Sequence, residues 1–141
     1  MRHGRKNGTA MLWSLRILFL VVLGTMIAIT SWAGAQCALF AVPREVAGHP
    51  WFLATLADAY WVFITCFVWI AWKERRPAAC ILWLVSVLAL GSMAIASYVL
   101  RELFSVEADG GLTQVVTRRG SGRLFLPGFL VAASAGVLLL A

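Results

Sequence analysis

Apolar residues fill four long segments of this chain, and short polar stretches separate them. The first segment runs from about Met11 to Ala35, the second from Trp51 to Trp72, and the third over about residues 79–104. Since about 20 helical residues cross the roughly 30 Å of bilayer hydrocarbon, each of these three predicts a transmembrane helix. The fourth segment, residues 124–141, is shorter and has Pro127 near its start. It predicts a fourth crossing, with a re-entrant or interfacial segment as the alternative.

The first segment has a second interpretation. A basic head, Arg2 to Lys6, precedes it, and Ala33-Gly34-Ala35 at its end matches the small-residue cleavage site of a secretory signal peptide. The apolar run is long for a signal peptide, so we favour a helix that is retained.

The connection between the second and third segments is short. Lys73-Glu74-Arg75-Arg76-Pro77 ends the second helix, and the third begins within a few residues. The two segments therefore predict an antiparallel helical hairpin. The fold class that follows is all-α: a single transmembrane domain over residues 1–141, built as a bundle of three to four helices.

The composition agrees with a membrane rather than an aqueous environment. Apolar residues make up 62% of the 141-residue chain and charged residues only 13%, about half the roughly 25% of ordinary soluble domains. The net charge of +6 comes from short basic runs beside the apolar segments. Such runs meet anionic lipid headgroups, so the predicted partner is the lipid bilayer and not a nucleic acid.

Basic residues on the two sides of the predicted bundle indicate its orientation, because cytoplasmic loops carry an excess of Lys and Arg. The side of the amino terminus and the second connection holds seven: Arg2, Arg5, Lys6, Arg16, Lys73, Arg75 and Arg76. The other side holds five: Arg44, Arg101, Arg118, Arg119 and Arg123. We therefore expect a multi-pass protein of a bacterial inner membrane with a cytoplasmic amino terminus.

Asp58 is the first candidate for a functional residue, because a carboxylate about two turns inside a transmembrane helix is costly without a partner. If the third helix runs antiparallel to the second over its whole length, Tyr98, Arg101 and Glu102 lie near the depth of Asp58. His49 stands just outside the same end. We expect these five residues to form one intramembrane polar layer.

Arg16 and Glu74 predict a second polar layer at the inner face of the bundle. One interpretation of both layers is structural, because polar contacts between membrane helices fix their register. The alternatives are a pocket for the headgroup of a lipid, quinone or pigment, and the handling of protons or ions. The sequence leaves these three interpretations open.

An aromatic group lies inside the second helix, where Tyr60 and Trp61 are followed by Phe63. The other tryptophans fall near predicted helix ends, as expected for interfacial belts, but Trp61 does not. These three residues are therefore candidates for a surface that stacks on a flat ligand, and packing against lipid is the alternative.

Motifs for catalysis and metal binding are absent from the sequence. Neither histidine, His3 or His49, has metal-ligand spacing, and the three cysteines show no regular spacing. No catalytic residue and no metal site is therefore indicated, and the cofactor, if one exists, is unknown.

Several motifs around the second and third segments form a recognisable set. They are His49 to Tyr60 with its Pro-Trp pair and Asp58, Trp69 to Glu74, Ile81 to Trp83, and Gly91 to Leu100. Over about residues 49–104 the chain resembles DUF1475, a family of small multi-pass membrane proteins of unknown function. The resemblance implies no activity. It does imply that one recurring architecture includes Pro50, Trp51, Asp58, Lys73 and Glu74.

The leading functional interpretation is a structural or accessory subunit that packs against other transmembrane subunits or associates with itself. The alternative is a binder or carrier of a small hydrophobic ligand, a lipid, quinone or pigment, at the layer around Asp58. An enzyme is the third possibility, because no catalytic constellation is found.

Overall fold

The residues that the structure describes are mostly helical. The computed structural model describes residues 2–106, 111–120 and 123–140, and no strand occurs in these ranges. The helices are α1 (Arg2–Gln36), α2 (Arg44–Ala47), α3 (Pro50–Lys73), α4 (Pro77–Leu90), α5 (Ser92–Ser105), α6 (Gly111–Thr117) and α7 (Phe125–Leu140). A short 3-10 turn, Leu39–Ala41, precedes α2. The prediction of an all-α fold is confirmed.

Two helices, α1 and α3, are much longer than the others. By length and composition, Gly8–Gln36 of α1 and Pro50–Lys73 of α3 are long and apolar enough to cross a membrane. Pro50 opens α3, where its missing N–H and fixed φ suit the first helical turn. The helix ends where Glu74 takes an extended conformation and donates its N–H to the Ile70 carbonyl.

The third predicted helix, residues 79–104, is divided in two at Gly91. This glycine has φ +54° and ψ −123°, a conformation that a residue with a Cβ rarely adopts. A Cβ at this position would also lie 2.6 Å from a ring carbon of Phe63 on α3. Glycine thus permits the break, and the Phe63 ring packs directly against it.

The chain reverses at Gly91, so α4 and α5 form a helical hairpin. The rings of Trp83 and Tyr98 lie 4.9 Å apart, edge to face, whereas residues fifteen apart in one continuous helix would be separated by about 22 Å. Each limb has 14 residues and rises about 21 Å, short of the roughly 30 Å of a bilayer core. The prediction of a single crossing helix over residues 79–104 is therefore wrong.

The helix that follows α3 does return along it, as the short connection predicts. Tyr60 on α3 donates its hydroxyl to the Leu88 carbonyl near the end of α4, at 3.3 Å. The tip of the α4–α5 hairpin therefore lies beside the middle of α3, and both of its outer ends lie near Lys73. From Gly91 onward, α5 therefore runs back toward the carboxyl end of α3.

Two apolar cores flank this hairpin. The first lies among α3, α4 and α5, and its buried members are Ile70, Trp83, Val87, Ala94 and Tyr98. The second joins the beginning of α1 to the end of α5 and to α6, through Leu12, Leu103, Val106 and Val115. Because α1 packs mainly against α5, and α7 mainly against α4, the hairpin holds most of the fold together.

The last helix, α7, lies against α4. Ser86 donates its hydroxyl to the Pro127 carbonyl at 3.3 Å, and Leu126 and Leu130 pack against the first core. The 16 residues of α7 rise about 24 Å. Whether this helix forms a fourth crossing stays a prediction.

Candidate functional site

Four charged residues converge where α3 and α5 end. Lys73 and Glu74 lie at the carboxyl end of α3, and Arg101 and Glu102 lie in the last turn and a half of α5. They meet because the α4–α5 hairpin returns the end of α5 to the end of α3. We call these four residues the charge network and their end of the fold the polar end.

Lys73 is the centre of the charge network. Its side chain is fully buried, and its Nζ donates a hydrogen bond to Glu102 Oε2 at 2.7 Å and another to the Val115 carbonyl in α6. The ammonium also lies 4.9 Å from the centroid of the Trp69 ring, a cation–π distance. One cation thus links α3 to both α5 and α6.

Arg101 completes the network with its guanidinium. It forms an ion pair with Glu74 and donates to Glu102 Oε1 from Nη2 at 2.8 Å and from Nε at 3.1 Å. The guanidinium carbon lies 4.6 Å from the Tyr98 ring centroid and 5.4 Å from that of Trp83. Burial lowers the pKa of Arg101, but the hydrogen bonds to Glu74 and Glu102 outweigh burial and raise it overall, so Arg101 stays charged.

The charge network is electrically balanced, with two cations and two carboxylates. Lys73, Glu74 and Glu102 are buried, at 0%, 7% and 4% exposure. A buried network of this kind contributes little net stability compared with apolar packing, but removing one partner leaves a buried charge unpaired. The four residues therefore connect the ends of α3 and α5, and Lys73 connects them to α6 as well.

Gly120 covers the network from the segment after α6. Its N–H donates to the Lys73 carbonyl at 2.9 Å. A Cβ on Gly120 would lie 2.7 to 2.9 Å from the carboxyl atoms of Glu74. Only a residue without a side chain lets the backbone approach the carboxylate this closely.

A small cleft opens beside the charge network, with a volume of about 60 Å³. Its lining is rich in arginine and consists of Arg101, Glu102, Ser105, Arg118, Arg119, Gly120 and Arg123. We call this the basic cleft. Here four arginines line one small open space.

The predicted layer around Asp58 is wrong. Tyr98, Arg101 and Glu102 lie at the polar end with Lys73, whereas Asp58 is fifteen residues earlier on α3, a rise of about 22 Å. Asp58 is exposed and forms no hydrogen bond or ion pair with the rest of the described chain, and His49 is exposed at the far end of α3. The hairpin is the cause, because it reverses the direction of α5.

The predicted pair of Arg16 and Glu74 is also wrong, although both residues are buried at the polar end. Arg16 donates from Nη2 to the carbonyls of Leu103 and Val106, at 2.8 and 3.2 Å, and Glu74 pairs with Arg101 instead. Two carbonyls left free at the end of α5 therefore take the place of a carboxylate as partners of Arg16 Nη2.

The three aromatic candidates of α3 do not share one face. Tyr60 and Phe63 contact each other edge to face at 5.9 Å and support the tip of the hairpin, at Leu88 and Gly91. Trp61 points away from it and is 69% exposed. Tyr60 and Phe63 thus support the hairpin, while the role of the three rings as a ligand surface stays a prediction.

Sequence reasoning missed Lys73, Gly91 and Gly120. Lys73 has the form of an ordinary helix-end anchor, and its burial depends on α5 and α6, which are distant in sequence. An isolated glycine inside an apolar run does mark a break in some helices, but it is common in membrane helices too. The two adjacent opposite-charge pairs, Lys73-Glu74 and Arg101-Glu102, were the signal for a cross-helix network. The described residues contain no group of three His, Cys, Asp or Glu positioned to hold a metal ion.

Comparison with known proteins places the chain against one family. A family model, "Protein of unknown function (DUF1475)", matches residues 4–119. This range is wider than the motifs around residues 49–104 and takes in α1, the hairpin and the charge network. No curated protein and no solved structure matches the chain. The resemblance stated from the sequence is confirmed, and the family supplies no activity.

Proposed function

The chain belongs to the DUF1475 family of proteins of unknown function, and from its structure we propose that it is an integral membrane protein acting as a structural or accessory subunit. α1 and α3 serve as its membrane spans, and the α4–α5 hairpin enters the bilayer only part of the way. Its function is then to pack against other transmembrane helices, either of partners or of a second copy.

The observation that carries this proposal is the exposure of the two longest apolar helices. In their most apolar 18-residue windows, only 11% of α1 and 6% of α3 is buried. An apolar helix in the core of a soluble protein is mostly buried, because exposed apolar surface in water costs roughly 25 cal/mol per Å². Helices this apolar and this exposed are typical of contact with lipid.

The lengths of α1 and α3 support the same proposal. From Arg16 to Gln36 the helix rises about 30 Å, and from Lys73 back to Pro50 about 35 Å. Both distances start at the polar end and match the thickness of a bilayer core. Exposed tryptophans lie near both ends, Trp13 and Trp72 at the polar end and Trp32 and Trp51 at the other, as in interfacial belts.

The distribution of charge supports a cytoplasmic polar end. Because the hairpin reverses α5, Arg101 and the arginines that follow it share a side with the basic head and with Lys73. Eleven of the twelve Lys and Arg residues then belong to the polar end, and Arg44 alone belongs to the other. Counted on a straight third helix, the two sides hold seven and five basic residues. The asymmetry of eleven against one is a stronger orientation signal under the positive-inside rule.

The accessory role is supported by what the outer surfaces present. A Cβ added at Gly24 of α1 or at Gly128 or Gly136 of α7 would meet nothing within 4 Å among the described residues. Small residues on open helix faces allow a neighbouring helix to approach closely. The exposed faces of α1 and α3 are apolar over most of their length and therefore suited to packing.

The test combines extraction and native mass. Membranes from cells expressing the full chain are washed with alkaline carbonate, and the protein is then solubilised gently and weighed with everything that co-purifies. We expect the chain to resist the wash and to migrate in an assembly well above its own 15.4 kDa. Release by carbonate contradicts membrane integration, whereas a lone 15.4 kDa chain contradicts the accessory role alone.

A matched pair of variants sharpens the second readout. Gly24→Leu fills an open face of α1, so it should reduce the share of protein in the assembly. Leu18→Ile changes an exposed apolar residue of the same helix without adding bulk and should leave the assembly unchanged. Equal assembly in both variants would exclude this face of α1 as the docking surface.

A further inference from the structure

The described lining of the basic cleft carries more positive charge than its carboxylate balances. Four arginines and one carboxylate, Glu102, are among its lining residues. Both oxygens of Glu102 are occupied, Oε1 by Arg101 and Oε2 by Lys73. Because arginine stays protonated at all ordinary pH values, the cations of the cleft repel one another, and among the described lining residues no carboxylate is free to offset them.

Most hydrogen-bond donors of these arginines have no acceptor within the described ranges. Arg118 donates from Nη1 to the Ser105 carbonyl at 2.6 Å. Arg119 and Arg123 are exposed and make no hydrogen bond or ion pair with any described residue. Nη1 of Arg101 is buried and likewise lacks a described partner. The cleft therefore presents several guanidinium donors toward one small space.

We propose that the basic cleft binds a phosphate group. The planar fork of a guanidinium matches two oxygens of a phosphate, and such charge-assisted pairs are stronger than neutral hydrogen bonds. A volume of about 60 Å³ exceeds what one water needs and suits a single tetrahedral anion rather than an extended ligand. The arginines come from α5, from the end of α6 and from the approach to α7, so they surround the anion from different segments.

The position of the cleft defines two sources for the phosphate. In a bilayer the polar end lies at the depth of the lipid headgroups, so the first source is the phosphate of an anionic lipid; this source rests on the proposed membrane function. The second source is free inorganic phosphate, which needs no membrane. Both use the same guanidinium chemistry.

A bound phosphate also has a structural effect. Gly120 closes the charge network, and it lies between Arg119 and Arg123 in the sequence. An anion held by these arginines and by Arg101 ties this covering segment to α5. We therefore expect the ligand to raise the midpoint of thermal unfolding, because it binds the folded state alone.

The experiment uses the full chain purified in a neutral detergent without phosphate. It is titrated with inorganic phosphate and, in parallel, reconstituted into nanodiscs of phosphatidylcholine with and without phosphatidic acid. Thermal unfolding reports stabilisation, and native mass spectrometry counts bound lipid. The test variant is R119Q/R123Q. The matched control is R75Q/R76Q, which removes the same charge from two exposed arginines of the polar end outside the cleft.

We expect R119Q/R123Q to weaken binding of the phosphate probe by about ten-fold or more, the scale of one lost charge-assisted hydrogen bond. R75Q/R76Q should bind as the wild type does. Stabilisation by phosphatidic acid alone supports a lipid site, and stabilisation by both probes supports a phosphate site open to either source. Equal weakening in the two double variants, or no binding of either probe to the wild type, overturns the proposal.

Failure of this proposal and of the membrane proposal are distinguishable. R119Q/R123Q should remain in carbonate-washed membranes as the wild type does, because neither arginine lies on α1 or α3. A chain that stays in the membrane without binding phosphate contradicts only the site. A wild-type chain released by carbonate contradicts membrane integration, while the titration with inorganic phosphate still tests the cleft.

Discussion

The two ends of α3 are in opposite environments. At its carboxyl end Lys73 is completely buried, while near its beginning Trp51 is 78% exposed. A helix of a soluble protein has the reverse arrangement, with charges outside and aromatic rings inside. The comparison teaches that burial in this chain follows the hairpin: charges are paired where α4 and α5 cover α3, and apolar residues are uncovered where they do not.

The largest effect is expected at the polar end, where Lys73 is buried in the charge network. Lys73→Met leaves Glu102 with only Arg101 as a partner and deprives the Val115 carbonyl of its donor. Breaking one member of a buried ion pair costs about 3–5 kcal/mol, so we expect a loss of that size in the free energy of unfolding, measured by denaturation in mild detergent. The double variant Lys73→Met/Glu102→Gln removes both charges and should recover part of the loss. A double variant no more stable than the single one would contradict the pairing.

The second largest effect is expected at Gly91, the turn between α4 and α5 that brings the end of α5 back to Lys73. Gly91→Ala places a Cβ at φ +54° and 2.6 Å from the Phe63 ring. We expect it to destabilise the protein by about 1–3 kcal/mol from strain and overlap together, measured in the same assay. Gly24→Ala is the control, because its Cβ would enter open space. If a continuous helix replaced the hairpin, Gly91→Ala would instead be neutral or stabilising.

A similar substitution tests the cover over the charge network. Gly120→Ala pushes a methyl group to within 2.9 Å of all three carboxyl atoms of Glu74. The carboxylate or the covering segment must move, so we expect a loss of about 1–2 kcal/mol in the free energy of unfolding. Gly128→Ala, at a glycine with no neighbour within 4 Å, should change it little. Equal values for the two variants would show that the cover is loose.

The smallest effect is expected at Asp58, in the first half of α3. Asp58→Asn alters an exposed side chain that forms no hydrogen bond or ion pair with the described residues. The free energy of unfolding should therefore stay within about 0.5 kcal/mol of the wild-type value. The native mass of the assembly is the second readout, since a partner helix is the remaining group that could use the carboxylate. A large loss of stability in the isolated chain would instead show that Asp58 makes a stabilising contact within the protein.

The sequence predicts the long helices well and the hairpin poorly, for a physical reason. Apolar length, Pro50 at a helix start and the basic run after Trp72 are local signals, and α1 and α3 coincide with the segments that they indicate. The break at Gly91 depends on how the chain packs against Phe63, which the apolar pattern of residues 79–104 does not contain.

The candidate site was misplaced by the same missing turn. The sequence predicts Asp58 beside Tyr98 and Arg101, because a straight third helix would bring the three residues to one depth. Once α5 folds back, these two residues belong with Lys73 and Glu74. The types of residue that pair were predictable from their charges, but their partners were not, because partners depend on chain direction.

The α4–α5 hairpin also changes how many times the chain of the proposed membrane protein crosses a bilayer. Four complete crossings would return residues near Gly136 to the compartment in which the chain began. In the proposed membrane arrangement the hairpin leaves by the face it entered and contributes no crossing, so the two crossings of α1 and α3 would return the chain to that compartment before Phe125. If α7 then crosses, Gly136 lies near the opposite compartment. The turn at Gly91 therefore determines on which side of the membrane a partner would contact this end of α7.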